Sequence, residues 1–296
     1  MRRRISIVLG LLVVTGVAGW LATAPATVDA SKFSQITPDI ERGAVIFKAS
    51  GCASCHSAPG TRGEARNTLS GGKSFASDFG TFYAPNISPD TENGIGNWDV
   101  TDLANALRYG TSPDGRHYYP AFPYTSYTKM TDADIVSLFA YIRTLPPSRS
   151  SSLEHDVGFP FNINRGLGAW KLLYLRKDWA LELEPGSDLE NGRYFVEALT
   201  HCGECHTPRN LIGGLDTGRW LAGAPNPSGK GTIPNITPAK LAWSDLEILD
   251  YLVVGMTPDF DAVGGSMADV VEELSQIPES HVADIVNYLK SVAPVE

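Results

Sequence analysis

Hydrophobic positions along the chain fall into three kinds of run. The first, from Ile5 to about Ala24, carries no charge and, at roughly 20 residues, is long enough to cross a bilayer as one helix. The second kind occurs twice: ERGAVIF (41–47) and ENGRYFV (190–196) each predict a short amphipathic helix, about 150 residues apart. The third closes each half. TDADIVSLFAYIRTLPP (131–147) and PESHVADIVNYLKSVAP (278–294) hold apolar residues at helical period, Ile135, Leu138 and Ile142 against Val282, Ile285 and Leu289.

Polar punctuation repeats in the same order. PNISP (85–89) matches PNITP (234–238), and Trp98, Gly110, Pro113 and Asp114 match Trp243, Gly255, Pro258 and Asp259 at identical internal spacing. The second half therefore reads as a duplicate of the first. Strand signals are sparse, and the Gly, Pro and Ser of 57–97 and 207–240 predict long loops wrapped around something other than a protein core. The pattern predicts an all-α protein with a leader or anchor over 1–30, a first domain over 35–147, a linker over 148–186 and a second domain over 187–296. In the linker, Trp170, Leu172, Leu173 and Tyr174 form an apolar strip, read either as packing across the domain boundary or as a docking strip.

Charge sets the compartment and excludes one class of partner. Arg2, Arg3 and Arg4 precede the first apolar run and hold that end in the cytoplasm, so the rest of the chain emerges in the periplasm. The length of the run favours a retained anchor on the periplasmic side of the inner membrane; the Ala24-Pro25-Ala26 pattern leaves cleavage as the alternative. A net charge of −9 argues against a nucleic-acid partner.

The four cysteines fall as two pairs, Cys52 with Cys55 in CASCH and Cys202 with Cys205 in CGECH, leaving none for a disulfide framework. On a helix, thiols three residues apart share a face and can add to the two vinyl groups of one macrocycle. The following His56 and His206 are then pinned beneath the irons as proximal ligands. The cofactors expected are two covalently bound haem c groups, and a thioredoxin-like pair or a zinc site does not explain the terminal His in both copies.

A low-spin iron needs a sixth ligand. Met267, in VGGSMADVV ahead of the closing helix, is expected to bind the second iron, and Met256 aligns with Thr111 as packing. For the first iron Met130 is expected, with His117 or an open position as alternatives. Against Met130 stands its place before a Thr131–Asp134 capping box, where it can staple against Ile135, and its repeat counterpart Ile277 cannot bind iron.

From APNISPDTENGIGNWDVTDLANALRYGTSPDGRHYYPAFPYTSYTKMTDADI, and from HCGECHTPRN to GGSMADVV, the chain resembles the cytochrome c subunits of membrane-bound alcohol and gluconate dehydrogenases over residues 35–293. The resemblance implies mitochondrial-cytochrome-like helical domains with His/Met ligation. It also implies electron delivery from a periplasmic dehydrogenase toward quinone, a terminal oxidase or a soluble cytochrome. Two departures stand out: those subunits typically carry three haem motifs where this chain has two, and relatives often place Met where PAFPY has Phe122. A two-haem peroxidase with one open iron is the alternative reading.

Overall fold

The computed structural model describes residues 2–227, 229 and 231–296. It opens on helix α1 (Arg2–Ala22), whose described side chains are exposed and whose 4–22 stretch is long and apolar enough to cross a membrane. The first half then runs α2 (Ile40–Ala49), α3 (Cys52–His56), a hairpin of β1 (Ser74–Ser77) and β2 (Gly80–Tyr83), α4 (Val100–Tyr109), α5 (Tyr124–Tyr127) and α6 (Asp132–Ile142). Helix α7 (Gly166–Tyr174) lies in the linker. The second half repeats the order with α8 (Glu190–Tyr194), which continues as a π turn over Phe195–Leu199, α9 (Cys202–His206), β3 (Ala224–Pro225), β4 (Thr232–Ile233), α10 (Asp245–Val254), α11 (Met267–Leu274) and α12 (Glu279–Ser291). The two antiparallel hairpins are a departure from the all-α expectation. They are short, and their residues lack a long apolar alternation that a sequence pattern can register.

Local sequence explains the helix boundaries. Asp99 and Asp102 close a capping box on α4, and Ser244 with Glu247 does the same on α10. Helices α2 and α6 cross at Gly43, where a Cβ would sit 2.2 Å from the Ser137 carbonyl oxygen; α8 and α12 cross at Gly192, where it would sit 2.1 Å from that of Asp284. The same close approach of a glycine to a helix carbonyl thus recurs in both halves. The isolated bridges Thr111–His117 and Met256–Ala262 fall at equivalent places as well.

The two halves share one apolar core rather than burying one each. A single cluster runs from Ile46, Phe47 and Leu138 through Phe195 and Leu199 to Val282, Ile285 and Tyr288. The linker strip divides. Trp170 donates its indole N–H to the Ile212 carbonyl at 2.8 Å and meets Tyr124 edge-on, and the Tyr174 hydroxyl accepts from Asn210, whereas Leu172 and Leu173 stay exposed.

Candidate functional site

The two C-x-x-C-H segments form single-turn helices, α3 and α9, each entered through a left-handed residue. Gly51 takes φ +60 before Cys52, and His201 takes φ +44 before Cys202. Glycine adopts that conformation freely; a histidine there carries strain of the order of 1 kcal/mol or more, which its surroundings must hold in place. What holds it belongs to the other half. The His201 ring lies edge-on to Tyr127 with centroids 5.7 Å apart and meets the Ser50 carbonyl, to which the Tyr127 hydroxyl also donates at 2.9 Å.

Each motif histidine is fixed by the same bond. His56 Nδ1 lies 2.8 Å from the Pro85 carbonyl oxygen, and His206 Nδ1 lies 2.8 Å from that of Pro234. A carbonyl oxygen only accepts, so Nδ1 carries the proton and Nε2 keeps its lone pair, the tautomer an iron ligand requires. Burial lowers both imidazoles from their ordinary value, which favours that neutral form. The loops carrying those carbonyls are tied down by Asn86 and Asn235. Asn86 accepts from Ser88 N and donates to the carbonyls of Ser148 and Ser150, and Asn235 accepts from Thr237 N and donates to that of Val295. The donor set of two thiols and one Nε2 lone pair, present twice, fits two covalently attached haems.

The thiols stand in a common environment. Burial pushes Cys55 up to about 11, with Lys73 opposing and Asp269 and Cys205 adding. Burial likewise takes Cys202 up to about 11. Glu204, inside the second motif, accepts from Thr125 Oγ1 at 2.5 Å and Ser126 Oγ at 3.2 Å across the boundary. Against its burial, Arg209 and Thr125 hold Glu204 below the usual carboxylate range.

The distal residues separate into different settings. Met267 opens α11 and is half-buried, packed against the core. Met130 is 2% exposed within the core and keeps the place before α6 that Ile277 keeps before α12. Counting five residues on from the equivalent bridges at His117 and Ala262 reaches Phe122 in one half and Met267 in the other. Phe122 is enclosed by the rings of Tyr118, Tyr124 and Tyr127 at 5.8–6.2 Å. His117 has both nitrogens engaged elsewhere, Nε2 with the Thr23 carbonyl at 3.0 Å and Nδ1 with Lys171 Nζ at 3.0 Å. Met256 is exposed at the surface. Sequence reading did not find Pro85, Pro234, Tyr127 or Glu204 as site residues. For the prolines the signal was present in the repeated PNISP and PNITP, whose carbonyl role shows only in three dimensions.

Comparison with known proteins agrees with this geometry. The cytochrome c family profile matches residues 40–146. The chain is 53% identical over 296 residues, the whole of both chains, to a di-haem cytochrome c-type protein of Cereibacter sphaeroides. It is 39% identical over 263 residues to the fructose dehydrogenase cytochrome subunit of Gluconobacter japonicus, covering 86% of this chain and 53% of that one. It is 31% identical over 267 residues to the gluconate 2-dehydrogenase cytochrome c subunit of Pantoea cypripedii, covering 86% and 59%. The chain thus spans little more than half the length of these dehydrogenase subunits.

Proposed function

This chain belongs to the cytochrome c family, and from that premise we propose that it is a periplasmic two-haem electron carrier built of two tandem domains, 35–147 and 187–296, joined by 148–186. It takes electrons from a periplasmic dehydrogenase and passes them toward quinone, a terminal oxidase or a soluble cytochrome, held at the inner membrane by α1. The observation that carries the reading is the pair of identical 2.8 Å bonds from the motif histidines to Pro85 and Pro234. The full-length di-haem relative and the cytochrome subunits of sugar and sugar-acid dehydrogenases support it.

Cys52 and Cys55, and likewise Cys202 and Cys205, would each hold one haem, which would supply a one-electron ferric/ferrous couple. His56 and His206 present a neutral Nε2 to the metal. Asn86 and Asn235 tie down the loops that orient those rings. The shared core and the Tyr127–His201 and Glu204–Thr125 contacts hold the two attachment sites at a fixed separation, which lets an electron entering one domain leave from the other. The protein is a carrier, and its own residues make and break no substrate bond.

Met267 is proposed as sixth ligand of the second iron and Met130, the sole methionine between residues 35 and 147, as that of the first. One observation favours a second reading for the first iron: Phe122 stands where Met267 stands in the other half, which leaves the position open and points to peroxide chemistry. The red charge-transfer band of ferric Met-ligated haem, quantified per iron in the protein and in Met130→Ala and Met267→Ala, separates the two. The carrier reading expects each substitution to remove its own share of the band and expects no turnover of hydrogen peroxide by the reduced protein. An unchanged band in Met130→Ala together with peroxide turnover establishes the open-iron reading instead.

A further inference from the structure

Helix α11 is eight residues long, a length at which a helix is marginal by itself, so its place depends on what it packs against. One face, through Val271 and Leu274, is buried, Leu274 in the core that the two halves share. The other carries Asp269, Glu272 and Glu273, at i, i+3 and i+4, which repel one another when left alone. Their counter-charges all come from the first domain. Lys73 Nζ lies 2.7 Å from Asp269, Arg66 lies 2.5 Å from Glu272 and 3.0 Å from Glu273, and Lys48 lies 3.4 Å from Glu273. Arg66 is 4% exposed and Glu273 2%, so these are interior charges, and the Glu273 oxygens are within ion-pair distance of their partners without being aligned as hydrogen bonds. Lys73 also donates at 2.9 Å to the Ser54 carbonyl, inside the motif that carries the first pair of thiols.

Met267 is the first residue of this helix. We propose that the first domain, through Lys73 and Arg66, positions Met267 on the second iron, so that the ligand of one haem is clamped by the attachment segment of the other. The inference rests on the reading of Met267 as a ligand. Lys73 and Arg66 are positioning residues: they touch neither iron but set how readily the thioether leaves. Releasing Arg66 leaves Glu272 unpaired and the buried Glu273 with Lys48 alone, and releasing Lys73 leaves Asp269 with only Arg66 at 4.0 Å; α11 relieves either loss by moving its acidic face toward water, carrying Met267 with it. By linkage, a ligand that displaces Met267 binds more tightly to the released form.

The test is an imidazole titration of the full-length ferric haem-loaded protein, followed through the part of the red charge-transfer band that Met267→Ala removes. Lys73→Gln and Arg66→Gln are expected to lower the imidazole concentration at half-displacement by about 5-fold or more. Lys73→Arg, which keeps the charge, is expected to restore the original midpoint. Lys240→Gln, which removes an exposed surface pair with Glu296, is expected to leave it unchanged. Lys73 is about one-third exposed, so its variant reports even where Arg66→Gln fails to accumulate. Half-displacement within twofold of the original in Lys73→Gln overturns the positioning role. A band fully retained in Met267→Ala overturns the ligand assignment itself and the proposal with it.

Discussion

A lysine in a protein interior is an expense that a surface position does not carry, and Lys171 illustrates how one is accommodated. It is 8% exposed, and Nζ reaches the carbonyls of Tyr109 and Gly110 at 2.6 and 2.7 Å and His117 Nδ1 at 3.0 Å. Burial pulls it down from 10.5 to about 7. Between those values the unfolded chain binds more protons than the folded one, so the group's contribution to stability rises as pH rises through that window. Urea unfolding between pH 7 and 10 is expected to show the protein gaining on Lys171→Met by about 1.4 kcal/mol per pH unit at steepest. A difference that stays flat with pH contradicts the assignment. No sequence pattern announces this contact, because Lys171 and His117 are 54 residues apart and neither belongs to a motif. The C-x-x-C-H triplets are the opposite case: thiols and imidazole lie within five consecutive residues, so their chemistry is legible from order alone.

At the scale of elements, the paired crossings decide whether each half assembles. A methyl group added at Gly43 or Gly192 meets backbone oxygen at 2.2 or 2.1 Å, a contact that no side-chain rotation relieves. Gly43→Ala and Gly192→Ala are each expected to lower stability by about 1–3 kcal/mol in denaturant unfolding, with α2–α6 or α8–α12 packing lost in the affected half. Substitutions that leave the unfolding midpoint unchanged contradict the crossing geometry. The helices themselves were readable from their 3.6-residue period, and α6 and α12 lie where Ile135, Leu138 and Ile142 or Val282, Ile285 and Leu289 placed them. The capping box expected at Thr131 forms only in half. Thr131 accepts from the Asp134 N–H, but the Asp134 carboxylate is taken by Arg42 at 2.8 Å and by the Tyr194 hydroxyl, and the Thr131 N–H turns to that same hydroxyl. Tertiary partners contributed by α2 and α8 outcompeted a local bond, and a sequence window does not contain them.

For the whole molecule, the repeated motifs were legible and the contacts between the two halves were not. The repeat predicted two packed units, whereas the apolar cluster is continuous, with boundary contacts from Tyr127 to His201, Glu204 to Thr125, and Arg66 to Glu272. These join residues drawn from opposite halves and leave no trace in either repeat alone. The proposed function requires that this joined structure hold two haems by covalent bonds, one at Cys52 and Cys55 and one at Cys202 and Cys205. Its most direct test is the intact mass of the purified protein under denaturing conditions after acidified-acetone extraction, measured also for the Cys52→Ala/Cys55→Ala and Cys202→Ala/Cys205→Ala double variants. The mass expected is the polypeptide plus two haem groups for the unmutated protein and plus one for each variant. A mass equal to the bare polypeptide, or a single haem on the unmutated protein, contradicts it.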